Sequence, residues 1–322
     1  MSATASAPVS RTRPRESAAT WPLADRLGLA MCWAAGMFLT LAAAGIVVFM
    51  AIKGVQYLKL SLLFEHPTAA VDQSQAGGFL DPIEGTIALT ALGTLIAAPI
   101  AIAAAIWLSE YGRPVGLARL VEAGVDVIAG VPSIVLAIFG LIVFSKALFA
   151  PLSISTQGVA SYGRSFLIAG ITISLVALPL IVGATREALQ AIPSHVREAS
   201  YALGKSQATT IRHVLLPSVR PGIATGIALG MGRIVGDTAI AIVLLGNTLQ
   251  NQPGSGIWPF DYLRGTGSTL TTYVYNNSPV GEGNAPQKAY AAAFVLLLVV
   301  LFLNYSVDRL ARGGRQVTAW SR

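Results

Sequence analysis

Two ionisable residues interrupt a stretch of sequence that otherwise has none. Arg233 and Asp237 fall within Pro221–Gly246, about 26 residues that are otherwise uncharged and rich in Gly, Ala, Ile and Val. An arginine near the middle of such a segment costs about 2.5–3.5 kcal/mol to place in hydrocarbon, so it must pair or face a polar path. The i,i+4 spacing puts the two side chains on one face of a single predicted helix. A guanidinium offers a planar fork of donors matched to the oxygens of a tetrahedral anion. With Asp237 holding Arg233 between passages and Thr238 beside them, the group suits an anion pathway. The alternative is an internal ion pair that only neutralises itself. Gly222, Gly226 and Gly230, four apart, form a smooth stripe for close helix packing. Gly232 and Gly236 flank the charged turn.

A second informative stretch is Arg186–Arg220. Pro193 suits a first helical position, where its missing N–H is not needed. Val196, Ala199 and Leu203 then recur at helical spacing, and Gly204 can take the left-handed conformation that ends a helix. A second short helix is expected from about Gln207 to Leu216, stopping before Pro217. A short helix with an apolar side and a basic side suits docking in a groove of a partner protein, or else lying on a bilayer surface. Gly204-Lys205-Ser206 looks like the end of a nucleotide-binding loop. That loop needs a further glycine at position 199, which is alanine, and a preceding strand pattern that is absent. The chain is therefore not expected to bind ATP.

The elements that carry these groups follow from composition. Apolar residues make up 54% of the 322 positions and charged residues 11%, where a soluble domain carries about a quarter charged. A hydrocarbon layer of about 30 Å needs roughly 20 apolar residues of helix. Six runs meet or approach that length: Leu27–Ile52, Ile87–Ser109, Val127–Ser145, Ser165–Thr185, Pro221–Gly246 and Ala289–Val307. The expectation is an all-α integral membrane protein with six transmembrane helices. Pro99, Pro132 and Pro179 fall inside these runs and are read as bends in packing helices. The first run is too long for a cleaved signal and is read as a retained helix.

Charge placement gives the orientation. Outside the runs, alternate segments hold 15 Lys and Arg against 6 in the others, and the richer set marks the cytoplasmic side. Both termini and the Arg186–Arg220 loop are then cytoplasmic. The expected organisation is a cytoplasmic tail over 1–26, with its first 20 residues disordered, a transmembrane domain over 27–312, and a cytoplasmic tail over 313–322. Lys53–Thr86, broken at Gly77-Gly78, and the polar loop Asn247–Lys288 face outward; the second carries turn clusters at 276–279 and 281–284. The net charge of +7 thus reflects topology, and no continuous basic stripe suggests nucleic acid. Cys32 is the sole cysteine and the three histidines are scattered over both sides, so a metal site is not expected.

Glu198-Ala199-Ser200, three residues, Gly204, nine residues, then Val214-Leu215-Leu216-Pro217 resembles the EAA loop of bacterial ABC importer permeases. The chain departs from that pattern at Ser200 and Val214. Gly232-Arg233-Ile234-Val235-Gly236-Asp237-Thr238-Ala239 resembles the Arg-x-x-Gly-Glu-Thr signature of the phosphate-specific (Pst) permeases, with Asp237 in place of the usual Glu. Leu108-Ser109-Glu110-Tyr111-Gly112 and Ala129-Gly130-Val131-Pro132-Ser133-Ile134-Val135 are also similar to that family, with wording nearer the PstA subunit than PstC.

The resemblance implies a type I importer permease in a bacterial cytoplasmic membrane. It would pair with a similar second permease, two cytoplasmic ATPase subunits that hold ATP and magnesium, and a phosphate-binding protein outside. It implies no cofactor in this chain. Glu198, Ala199, Ser200, Gly204, Leu216 and Pro217 would seat against the ATPase. A permease for sulfate or molybdate would share the loop but not the Arg–Asp signature. A self-sufficient transporter or channel would need neither.

Overall fold

In a computed structural model of the chain, the described residues are 22–68, 77–153, 155–156, 159–160, 163–246, 248–251, 260–279, 281 and 285–312. The expected disordered tail at residues 1–20 and the expected tail at 313–322 lie outside them. The chain divides into two compact units, Met1–Ile52 and Lys53–Arg322.

The first unit contains most of helix α1, Leu23–Tyr57, so helix begins inside the segment expected as a tail. Trp33, Phe38 and Ile46 are exposed along α1, and a helix apolar on all sides suits lipid.

In the second unit, α2 (Ser61–Phe64) precedes α3 (Leu80–Ile106), which continues as a π-helical turn over Trp107–Tyr111. Helices α4 (Val115–Gly130) and α5 (Ser133–Phe144) follow, then a 3-10 turn, Ala147–Leu152. Two-residue strands β1 (Ser155–Thr156) and β2 (Val159–Ala160) pair antiparallel. Next come α6 (Phe166–Gln190), α7 (Ser194–Ala202) and α8 (Gln207–Thr210). A second π-turn, Ile211–Leu215, leads into α9 (Leu216–Val235) and then α10 (Thr238–Leu245). Helices α11 (Phe260–Arg264), α12 (Leu270–Asn277) and α13 (Pro286–Arg312) complete the described fold.

Among the described residues, five helical segments are long and apolar enough to span a membrane, and α4 with α5 makes a sixth span if the bent pair counts as one. The all-helical six-span expectation holds in that form. The run Val127–Ser145 is not one straight helix, because α4 and α5 meet at 107°. Pro132 disfavours helical geometry in the residue before it, and Val131 is extended, with ψ 128°. Pro99 and Pro179, by contrast, remain inside continuous α3 and α6.

Helices α3, α6 and α9 form the core, and small residues let them approach. Ala97, Ala101 and Ala105 of α3 are fully buried with Ala177 and Ile181 of α6 and Ile234 of α9. A Cβ added at Gly222, Gly226 or Gly230 would meet Ala188, Ala184 or Ile181 of α6 at 2.3, 3.1 and 2.9 Å. The glycine stripe is therefore a packing surface.

Two further expectations are corrected. The helix beginning at Gln207 does not stop before Pro217: it runs on through the π-turn into α9. The Leu216 N–H reaches back to the Ile211 carbonyl, and Pro217 sits in the first turn of α9, where its absent N–H is tolerated. The segment after residue 246 is not a plain polar loop. Helix α12, opened by a Thr269–Thr272 capping box, buries Leu270, Thr272 and Tyr273 and includes Asn276 and Asn277. Residues 282–284 of the second turn cluster lie outside the described residues.

Candidate functional site

The charged stretch is a helix break. Helix α9 ends at Val235, and the Gly236 N–H donates to the Gly232 carbonyl. Asp237 is extended, with ψ 104°, and is the N-cap of α10. Its Oδ1 accepts the Ile240 N–H at 3.0 Å. Its Oδ2 lies 3.4 Å from Arg233 Nη1 and has no hydrogen-bond partner among the described residues. Asp237 is 1% exposed at its side chain and Arg233 44%. The expectation of a single helix carrying both charges is thus wrong, although the pair itself forms. A signal was present: Gly232 and Gly236 weaken a helix interior, and Asp after Gly is a favoured N-cap.

This arrangement separates two tasks. The buried carboxylate is fixed by the cap, while the guanidinium reaches an accessible surface through one long ionic contact. A Cβ at Gly232 would meet nothing within 4 Å, so space remains beside the arginine. Thr238, half-buried, opens α10 next to the cap.

The second candidate surface is α7 and the turn after it. Gly204 takes φ +76°. Its N–H donates to the Tyr201 carbonyl, and the Lys205 N–H donates to the Ser200 carbonyl, the two bonds of a Schellman ending. Glu198, Ala199, Gly204 and Pro217 are exposed, Leu216 is half-buried, and Ser200 turns inward. The Ser200 hydroxyl shares a 2.9 Å hydrogen bond with the Thr210 hydroxyl. Leu215, the neighbour of Leu216, fills a small core with Leu189, Ile211 and Val219.

Several polar residues were missed from sequence. Arg197 Nη2 donates to Glu110 Oε1 at 2.7 Å, and Gln207 Nε2 donates to the Glu110 carbonyl at 2.7 Å. Arg186 pairs with Glu122, joining α6 to α4. At the opposite end of α3, His66 Nδ1 donates to Asp81 Oδ2 at 2.7 Å. Asp81 Oδ1 also accepts the Asn251 N–H at 3.0 Å. The hydrogen bond and charge of Asp81 raise the His66 pKa above its ordinary value, with Glu84 adding to the effect. These pairs span long sequence separations, and no local spacing announces them.

Comparison with known proteins places this geometry. Residues 97–315 match the family described as binding-protein-dependent transport system inner membrane component. The chain is 34% identical over 229 residues to the phosphate transport system permease protein PstA 1 of Mycobacterium tuberculosis, covering 71% of this chain and 68% of that one. It is 31% identical over 294 residues to the probable ABC transporter permease protein YqgH of Bacillus subtilis, covering 88% and 89%. Among solved structures, a bacterial alginate ABC transporter in complex with an alginate pentasaccharide-bound periplasmic protein matches with TM-score 0.61 at 17% identity, over 91% of this chain and 96% of that one. The inward-facing MetNI methionine ABC transporter matches with TM-score 0.57 at 20% identity, over 74% and 96%. The fold is that of a type I ABC importer permease.

Proposed function

We propose that this chain, which belongs to the family of binding-protein-dependent transport system inner membrane components, conducts inorganic phosphate. It is a multi-pass membrane permease subunit of an ABC importer and not an enzyme. The observation that carries the phosphate reading is the accessible Arg233 guanidinium at the break between α9 and α10, beside a buried Asp237. A tetrahedral oxyanion can take the guanidinium fork while Asp237 stays in place as the cap of α10. The likeness to PstA and PstC permeases favours phosphate among such anions.

In this reading Arg233, Asp237 and Thr238 line the pathway, which is completed by a paralogous permease. Glu198, Ala199, Gly204, Leu216 and Pro217 form the docking surface for a cytoplasmic ATPase dimer, with Ser200 bracing it from inside. ATP and magnesium are held by that ATPase, and this chain carries no cofactor. A binding protein delivers phosphate from outside. In this reading both termini lie in the cytoplasm, which the basic bias supports.

The test is uptake of labelled phosphate, sulfate and molybdate by cells lacking the gene, with and without a restored copy. Restoration of phosphate uptake alone, dependent on the ATPase, is expected. Restored sulfate or molybdate uptake without phosphate, or uptake with the ATPase inactivated, would replace this reading.

A further inference from the structure

The docking helix α7 has little apolar attachment to the fold: Ser200 is its one buried residue. Its firm connections are polar, and they converge on the π-turn that continues α3. Arg197 spends its donors on several acceptors at once. Nη2 donates to Glu110 Oε1 at 2.7 Å and to the Leu189 carbonyl at 2.9 Å. Nε lies 3.2 and 3.3 Å from the two Glu110 oxygens, and Nη1 donates to the Ile192 carbonyl at 2.9 Å. Gln207, the first residue of α8, holds the Glu110 carbonyl. One acidic residue thus joins α3 to α7 and α8, and its arginine adds the end of α6.

We propose that Glu110 and Arg197 form a transmission joint, which makes the docking helix and the end of α3 move as one piece when the ATPase moves. The Glu110 side chain is only 5% exposed, so neither water nor salt replaces the pair easily. A planar guanidinium bonded to a carboxylate and to two carbonyls resists rotation as well as separation. The π-turn over Trp107–Tyr111 closes with the Gly112 N–H on the Trp107 carbonyl at 2.8 Å. Such turns insert an extra residue and occur often at functional positions. Here the turn presents Glu110 towards α7. Glu110 and Arg197 touch no transported anion. They are positioning residues, and the role rests on the importer reading but not on the identity of the anion.

The test uses the assembled complex in proteoliposomes, with phosphate uptake and ATP hydrolysis measured together. Glu110→Gln keeps the shape and an acceptor but loses the charge, and Arg197→Lys keeps the charge but loses the fork. Each should lower phosphate moved per ATP by about tenfold, within the usual range of a coupling free energy, without lowering hydrolysis in proportion. The double variant should be no worse than either single one, because both break the same joint. Unchanged phosphate per ATP, additive losses, or hydrolysis falling in step with uptake would overturn the proposal.

Spin labels supply a readout that needs no anion. They are attached at Leu203→Cys and Arg113→Cys in a Cys32→Ser background, both native residues being exposed. The distance between labels should stay constant on ATP binding in the otherwise unaltered chain and shift or broaden with Glu110→Gln. A distance that changes on ATP binding without Glu110→Gln would also overturn the joint. A complex with Glu110 and Arg197 unaltered that hydrolyses ATP but moves no phosphate would overturn the phosphate reading alone, and the labels would still decide the joint. If Glu110→Gln fails to assemble, Gln207→Ala removes only the amide bond to Glu110. It should then show a smaller loss of the same kind, and an unchanged ratio would again count against the joint.

Discussion

Arg233 and Asp237 stand four residues apart yet belong to different helices: the arginine lies in the last turn of α9, and the aspartate caps α10. Their 3.4 Å contact therefore bridges a break in the backbone. A rigid i,i+4 pair on one helix would hold its members on a shared face. Across a break, the arginine can leave while the aspartate remains bonded to the Ile240 N–H.

That geometry dictates how the pair should be tested. Asp237→Ala removes the cap along with the charge, at a stability cost of about 1 kcal/mol, and so mixes two effects. Asp237→Asn keeps an oxygen for the Ile240 N–H and removes the charge alone. The double variant Arg233→Ala/Asp237→Asn should assemble normally and fail to take up phosphate. Arg233→Lys should be impaired, because it loses the fork. Wild-type uptake in a well-assembled double variant would demote Arg233 to a structural residue.

The glycines of α9 divide into two kinds. Gly222→Ala would push a methyl to 2.3 Å from the Ala188 Cβ, and overpacking of this kind costs about 1–3 kcal/mol. Gly232→Ala meets open space and gains helix propensity of up to about 1 kcal/mol. Thermal unfolding of the purified protein should show a lowered midpoint for the first and an unchanged or raised one for the second. Equal destabilisation by both would mean that α9 does not pack on α6 through Gly222.

The limits of the sequence follow from where each kind of signal resides. Spans such as α3 and α6 are legible because lipid demands unbroken apolar length, and that demand is written locally. The break at Asp237 is masked by the same demand, since an apolar run looks continuous whether or not its backbone is, and only Gly232, Gly236 and the capping Asp237 mark it. Gly204 was legible because a left-handed turn selects glycine. Arg197 and Glu110 are 87 residues apart, and a pair made only by folding leaves no periodicity to find. Helix α12 was missed for a different reason: Thr and Asn clusters favour turns, and burial against α3 and α13 overrides that preference.

His66 links pH to the N-terminal end of α3. Its pKa is raised above 6.5, first by the hydrogen bond to Asp81, then by the charge of Asp81, with Glu84 contributing and desolvation opposing. A folded-state pKa above the unfolded one adds stability that is complete below the unfolded value and lost as pH rises through the folded value. Wild type should therefore exceed His66→Gln in thermal midpoint at acid pH, and the difference should fade on the alkaline side of 6.5. Because the His66 side chain is 62% exposed, the difference should be small. A gap that widens as pH rises would show that the pair acts in another way.

Orientation can be read at two exposed positions, Leu203 and Tyr275. Cysteines placed there singly, in a Cys32→Ser background, should differ in reaction with an impermeant maleimide on intact cells. On the proposed orientation, in which the basic Arg186–Arg220 segment faces inward, Tyr275→Cys should label and Leu203→Cys should label only after the membrane is opened. Labelling of Leu203→Cys in intact cells would reverse the orientation.

Gly204 offers the most direct test of docking. Its φ of +76° is a region that β-branched residues almost never occupy. A Cβ there would meet nothing within 4 Å, so a side chain adds no collision and the strain is confined to the backbone. That strain is about 1–2 kcal/mol for an ordinary residue, too little to unfold a packed membrane domain but enough to move the turn after α7. Gly204→Val should therefore insert and purify normally, lose association with the ATPase, and lose uptake in parallel. Gly204→Asn, which tolerates left-handed geometry, should stay close to wild type. The comparison separates conformation from contact, since both variants add bulk at the same exposed point. If Gly204→Asn fails as badly as Gly204→Val, then bulk at the interface, not the backbone turn, is what the ATPase rejects. If both co-purify and transport at the wild-type level, α7 and its turn are not where the ATPase docks.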